Sequence, residues 1–241
     1  MAHSPLFNKG TILSMFSQKK TSMIETIRFH KVIPNVFVGS PPEGGPTDVW
    51  DQPLTLKRGE SCLIEAASGR GKSSFCAFLY GLRTDYVGTI DYLDPQGNAL
   101  SMSGEVLCEM RMRSVGLMFQ EHRIFPELTA VENVMLKNQL TDYFTEQEVR
   151  NRLSVLGLED RLDRPCMKLS IGQQQRVAFV RLLAQPADFL LLDEPVSHLD
   201  TVNSQLMSNM LRERQEQEGC AVIVTSIGHS LPYAYDRILK L

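Results

Sequence analysis

Apolar residues along this chain come in short runs separated by polar and Gly/Pro-rich segments. The runs Leu54–Leu56, Ser61–Glu65, Val115–Phe119, Phe189–Leu192, Ala221–Thr225 and Arg237–Leu241 have strand length and strand composition. Glu146–Leu158 is mostly polar but sets Val149, Leu153 and Leu156 on one face of a helix. A second helix is predicted over Ser73–Leu82. A third opens at Ser170, a good N-cap, with Gln173 completing a capping box and Val177, Val180 and Ala184 continuing an apolar stripe. Strands alternating with helices predict an α/β fold around a mainly parallel sheet, interrupted by a helical insert before Phe189. The cluster Gly39–Pro46 reads as a loop, and Met1–Ser22, polar and basic at Lys9, Lys19 and Lys20, as a mobile tail. No internal repeat is visible.

The chain has 241 residues, 43% of them hydrophobic and 22% charged, enough for one large α/β domain and too apolar for disorder. Its net charge of −3 provides no electrostatic footprint for nucleic acid, so no nucleic-acid partner is expected. The longest apolar stretches, Phe189–Leu192 and Ala221–Val224, fall far short of the roughly 18 to 20 residues that span a bilayer. Met1–Phe16 lacks the apolar core of a secretion signal, which predicts a protein that stays inside the cell. Cys62, Cys76, Cys108, Cys166 and Cys220 are dispersed without a C-x-x-C pair, and are expected to be reduced, buried, small hydrophobes.

Two patterns carry chemistry. The run from Ser61 to Ser74 passes from an apolar strand through Ala66-Ala67-Ser68-Gly69-Arg70-Gly71 into Lys72-Ser73-Ser74 at a helix start, close to G-x-x-x-x-G-K-[ST]. Glycines let successive backbone N–H groups turn inward around phosphate oxygens, and a helix N-terminus favours the anion. Lys72 would reach the β- and γ-phosphates of ATP, and the Ser73 hydroxyl would hold Mg²⁺. Ala66 stands where the pattern has its first glycine. The second pattern is Phe189–Leu192 followed by Asp193, Glu194 and Pro195. Such a strand is buried on both faces, and ligands bind at its carboxyl end. Asp193 is the candidate Mg²⁺ ligand and Glu194 the candidate general base.

Between them lies Lys168-Leu169-Ser170-Ile171-Gly172-Gln173-Gln174-Gln175-Arg176, which resembles the L-S-G-G-Q signature of ATP-binding-cassette ATPases, with Ile171 for the first glycine. The resemblance covers roughly residues 24–241. It implies an α/β P-loop NTPase of ABC type: a RecA-like mainly parallel core sheet, an antiparallel β subdomain and a helical subdomain at about 121–185, all within 23–241. Ser170, Gly172 and Gln173 would point at the γ-phosphate held by a second cassette in a homodimer or heterodimer. Phe119-Gln120 resembles the Q-loop, which makes Gln120 a sensor of Mg²⁺ and γ-phosphate, and Asp200 lies in a segment like the D-loop. Phe37 is the nearest candidate for the adenine-stacking aromatic, with a local-core role open beside it. Where the family has its switch histidine this chain has Ser226, followed by Ile227, and His229 stands three residues on. Serine cannot carry charge near neutral pH as imidazole can. Ser226, Ile171 and Ala66 together predict ATP binding with slow hydrolysis. Gly172–Ala178 together with Phe119–Val134 looks like the lipoprotein-release, macrolide-export and cell-division branch, which implies a separate integral membrane permease subunit, docked on Gln120–Val134, and a cytoplasmic position on the inner face of the membrane. Ile124, Phe125 and Leu128 would be its docking side chains, with packing of the helical insert open as their other role.

Overall fold

The computed structural model describes residues 22–40 and 45–241. Nearly all of the predicted tail, residues 1–21, and the centre of the Gly/Pro cluster, 41–44, lie outside the described residues. Among the described residues the strands form two sheets. The larger is wholly parallel, in the order β5 (Val115–Met118), β6 (Phe189–Asp193), β7 (Ala221–Ser226), β3 (Ser61–Glu65), β8 (Arg237–Lys240). The smaller is antiparallel, with β1 (Thr26–Pro34) between β2 (Leu54–Lys57) and β4 (Tyr86–Leu93).

The parallel strands are buried because both their faces are covered. Leu190 and Leu192 of β6 pack into a core shared with the helices that precede it, while Phe189 and Leu191 face a second core shared with the antiparallel sheet. Continuous apolar runs with period-2 partition between two cores are what a doubly covered sheet requires. The helices are α1 (Lys72–Leu79), α2 (Gly104–Arg113), α3 (Ala130–Asn138), α4 (Glu146–Val155), α5 (Ile171–Leu183) and α6 (Thr201–Glu218). Helices α3, α4 and α5 come between β5 and β6 and pack on one another through Val131, Val134, Val149, Leu153, Val177 and Val180. Thr129, Thr145 and Ser170 each open one of these three with a complete capping box.

Most predicted edges shift by a residue or more, the helix from Glu146 ending at Val155 instead of Leu158, and two of the shifts bear on the site. Helix α1 stops at Leu79 instead of Leu82, because Gly81 takes a left-handed φ of 64°. Strand β5 ends at Met118, which frees Phe119 and Gln120 for the loop that follows. The expectation of five buried cysteines is corrected at Cys108: it is exposed on α2, a surface helix whose buried residue is Met110. The other four are buried, and burial pushes the Cys62 thiol up to about 11 and Cys220 to about 12.

Candidate functional site

The order of the parallel sheet decides where the site lies. Strands β6, β7 and β3 are adjacent, so the residues at their carboxyl ends converge: Asp193 and Glu194, then Thr225 and Ser226, then Glu65 leading into the phosphate loop. In register, Asp193 pairs with Thr225 and Ser226 with Glu65. The Ala66 N–H donates to the Ser226 carbonyl at 3.1 Å, which closes the start of the loop onto β7.

Ala67, Ser68 and Gly69 lie exposed, and Gly69 and Gly71 both take left-handed φ angles, 79° and 94°. Gly71 has a second reason to be glycine. A Cβ there would stand 3.1 Å from Phe37 Cε2 and 3.1 Å from Trp50 Cζ2. Trp50 Nε1 donates to the Arg70 carbonyl at 3.0 Å, and the indole lies edge-on to Phe75 and Phe78 of α1. Trp50 was not anticipated as a support of this loop. Its signal in the sequence is that it is the single tryptophan of the chain, placed just after the Gly/Pro cluster. Phe37, in the turn after β1, packs its ring against the phosphate loop and the core beneath it. Ser74 Oγ accepts from Arg83 at 3.0 Å.

Lys72 is only 5% exposed and its ammonium has three partners: the carbonyls of Ala66 at 3.1 Å and Ala67 at 2.8 Å, and Glu194 Oε1 at 3.3 Å. Glu194 Oε2 accepts from Gln120 Nε2 at 3.0 Å. The structure therefore joins Lys72, Glu194 and Gln120, which come from three separate segments. Glu194 takes φ 50°, in the left-handed region and directly before Pro195, a conformation costing about 1–3 kcal/mol that persists only where the surroundings enforce it. Its enforcers are Lys72, Gln120 and the Thr225 hydroxyl, which accepts from Glu194 N–H at 3.2 Å and donates to Asp193 Oδ1 at 2.6 Å. Thr225 is a second residue the sequence reading passed over.

Ser73 and Asp193 face one small cavity of about 190 Å³. A hydroxyl, a carboxylate and the remaining amide oxygen of Gln120 are hard oxygen donors of the kind that suit Mg²⁺, which habitually completes its shell with water and phosphate. Among the described residues no group of three or more His, Cys, Asp or Glu could hold a metal ion, so a Mg²⁺ here would depend on phosphate oxygens.

The signature residues point elsewhere within the same chain. Ser170 Oγ accepts from Gln173 N–H at 3.3 Å and Gln173 Oε1 accepts from Ser170 N–H at 2.9 Å. A Cβ at Gly172 would meet the His198 carbonyl at 2.6 Å, and Gln175 Nε2 donates to the Pro195 carbonyl at 2.7 Å. The N-terminus of α5 is thus seated on the segment after Glu194, with Ile171 left 56% exposed. Asp200 is the N-cap of α6, accepting from Asn203 N–H at 2.8 Å, and that hydrogen bond holds its carboxyl below the usual range. Ser226 Oγ donates to the His229 carbonyl at 2.5 Å, so the hydroxyl is spent on its own turn.

Residues 51–197 match the family described as ABC transporter. The lipoprotein-releasing system ATP-binding protein LolD of Syntrophotalea carbinolica is 33% identical over 191 residues, 78% of this chain and 83% of the relative. The chain belongs to the ABC transporter ATP-binding family. ABC transporter H family member 2 of Dictyostelium discoideum is 33% identical over 199 residues, and the chain spans 37% of that relative's length. Among solved structures, a dimeric post-hydrolysis state of an ATP-binding cassette bound to ADP and Pi is similar at a TM-score of 0.72, with 26% identity, covering 89% of this chain and 94% of that one. The parallel sheet, antiparallel sheet and intervening helices are those of an ABC cassette, and the phosphate loop and Asp193-Glu194 stand at the cassette's strand ends.

On the far side of the cassette's Gln120, His122 and Arg123 are both left-handed, φ 60° and 47°, and turn the chain sharply. Arg181 donates to their carbonyls at 2.5 and 2.8 Å, and Arg123 stacks over the Phe119 ring at 3.7 Å. The turn opens onto a groove of about 400 Å³ lined by Phe119, Phe125, Leu136, Leu140 and the three cations Arg123, Lys137 and Arg181. Of the expected docking side chains, Phe125 is 52% exposed, whereas Ile124 and Leu128 are half-buried and Ile124 packs on the core. Among the described residues no helix is long and apolar enough to cross a membrane.

Proposed function

We propose that this chain is the ATP-binding and ATP-hydrolysing motor subunit of an ABC transport or mechanotransmission complex, dimerising on ATP, driving a separate membrane subunit and hydrolysing slowly. The observation that carries the reading is the joining of Lys72, Glu194 and Gln120 beside a glycine-turned loop at a helix N-terminus. Phosphate oxygens take the N–H groups of Gly69–Ser74 and the positive end of α1. Lys72 moves from Glu194 to the phosphates, which leaves Glu194 as the carboxylate free to accept a proton from water. Ser73, Asp193 and Gln120 are the residues that would hold Mg²⁺, which when bound would supply charge neutralisation on the phosphates. Phe37 stands beside the loop where the base would lie. Ser170, Gly172, Gln173 and Asp200 belong to the face presented to the second cassette.

The relatives' description as lipoprotein-releasing ATP-binding proteins supports a membrane partner, and the groove beside Gln120 is the surface that suits it: largely apolar, and lined by Phe119, the neighbour of a glutamine that donates to Glu194. Slow hydrolysis follows from Ser226, whose hydroxyl is committed to the His229 carbonyl. That same commitment favours a second reading, a catalytically weak, nucleotide-gated regulatory subunit of a cell-division-type membrane complex. One measurement separates them. Purified chain at high concentration should turn over ATP slowly but measurably and bind it tightly, and a regulatory subunit would bind without turnover. Turnover at a rate typical of the family, unchanged in Ser226→Ala, would refute the slow-motor reading.

A further inference from the structure

Resting on the ATPase reading, we propose that Trp50 is a positioning residue of the phosphate loop. Its indole N–H fixes the peptide between Arg70 and Gly71, which aims the Gly71 N–H at the phosphates of the nucleotide. Trp50 is 2% exposed and stands outside the loop, between the Gly/Pro cluster and β2. Its Nε1–H donates to the Arg70 carbonyl at 3.0 Å. A peptide unit is planar, and no described peptide bond is cis, so the C=O and N–H of this one point in opposite directions. Gripping the carbonyl on the indole side therefore turns the Gly71 N–H away from the indole and the core beneath it. Gly71 is the N-cap of α1, and its own carbonyl accepts from Phe75 N–H at 2.8 Å. The amide so aimed lies at the positive end of a helix, where an oxyanion binds.

The indole can hold the loop because it is itself held. Thr47 Oγ1 accepts from the N–H groups of Val49 at 3.0 Å and Trp50 at 3.2 Å, and donates to the Lys240 carbonyl of β8 at 3.2 Å. Asp48 N–H donates to the same carbonyl at 2.8 Å, and Asp51 N–H to the Val32 carbonyl of β1 at 2.9 Å. The two sheets thus grip the residues on either side of Trp50, while Phe75 and Phe78 fix the tilt of its ring. From the loop side, Arg70 Nη2 donates to the Gly45 carbonyl at 3.2 Å, a second tie between the same two segments. A leucine or phenylalanine would serve to fill this space. Tryptophan adds a buried donor, and the acceptor that donor takes is in the phosphate loop.

Trp50 is the single tryptophan of the chain, so a tryptophan analogue supplied during expression changes this ring alone. Benzothienylalanine keeps the shape of the indole and puts sulfur in place of the N–H, whereas 4-fluorotryptophan keeps the N–H. The test is the affinity of the full chain for ATP and for ADP, by calorimetry well below the unfolding temperature, in wild type, both analogue forms and Trp50→Phe. Benzothienylalanine should weaken both nucleotides about 3- to 10-fold, the range for loss of one aimed hydrogen bond, and Trp50→Phe at least as much. The 4-fluorotryptophan form should bind as wild type does. In spectra of chain labelled with ¹⁵N-glycine, the Gly71 amide should move downfield when ADP is added to wild type and move clearly less in the benzothienylalanine form. A tryptophan that only fills space would not govern that shift. The benzothienylalanine form retains the ring, so it carries the test should Trp50→Phe fail to fold. Wild-type affinity in that form, or an equal loss in the 4-fluorotryptophan form, would overturn the proposal. Failure of wild-type chain to bind either nucleotide instead overturns the ATPase reading on which the proposal rests.

Discussion

Thr225 shows how much of a site can hang on a residue that touches no substrate. Its hydroxyl donates to Asp193 Oδ1 and accepts from Glu194 N–H, so one oxygen sets the orientation of both acids. The residue is fully buried. Thr225→Val keeps the shape and strands two polar groups, which should destabilise the fold by about 1–3 kcal/mol in urea unfolding. ATP turnover should fall as well, since Glu194 loses one support of its left-handed backbone; unchanged stability and turnover together would show that Asp193 and Glu194 are oriented without it. A second residue-scale prediction concerns Lys137, whose Nζ donates to the Arg111 carbonyl at 3.0 Å. Burial, with Arg181 nearby, lowers its ammonium from 10.5 to about 8. Between about pH 8 and 10.5 the unfolded chain therefore holds this proton more often than the folded chain, so the lysine's contribution makes stability rise with pH across that window. Other groups titrate there, so the measurable quantity is the stability of wild type minus that of Lys137→Met: it should climb from pH 8 to 10.5 and stay level from pH 6 to 7.5.

At the scale of elements, legibility followed apolar content. Strands β3, β6 and β7 were readable because a doubly covered strand is a continuous apolar run, and α4 and α5 because their stripes are aliphatic. Strand β1 was not, since a bulge between His30 and Ile33 breaks its alternation, and β4 presents mostly exposed or half-buried residues around Gly88. Helix α6, 18 residues long, was hidden because its buried face runs Ser204, Met207, Ser208, Leu211 and Arg214, in which the helical spacing is present but the hydrophobicity is not. The capping box of α5 was legible; what that helix start rests on was not. Gly172 lies where a Cβ would approach the His198 carbonyl to 2.6 Å, a contact between two backbones that cannot swing aside. Gly172→Ala should push α5 off the segment after Glu194, costing about 1–3 kcal/mol by overpacking despite alanine's better helix propensity. Chemical denaturation checks it, and an alanine variant as stable as wild type would mean that His198 yields freely.

For the whole molecule, the sequence spacing picked out the candidate catalytic groups but not how they pair with one another. The two motifs, about 120 residues apart, meet because the parallel order puts β6, β7 and β3 side by side, and there Lys72 pairs with two carbonyls and Glu194. On the proposed ATPase reading, phosphate that draws Lys72 away would break its pair with Glu194 and free that carboxylate to act as base. Glu194→Gln tests both halves of that coupling. The amide cannot hold Lys72 by charge, which leaves the ammonium readier for phosphate and should tighten ATP binding severalfold. Nor can it take a proton from water, so the bound nucleotide stays intact. On the reading that ATP closes two cassettes, sedimentation of Glu194→Gln with ATP should show a dimer that wild type holds only transiently, and with ADP alone both should be monomeric. Ile171, exposed at the head of α5, gives a second test of that dimer. Ile171→Glu in the Glu194→Gln background should bind ATP as before yet sediment as a monomer, because a carboxylate at that position would face the phosphates of the other cassette. A dimer that survives Ile171→Glu would mean that the two chains meet through some other face.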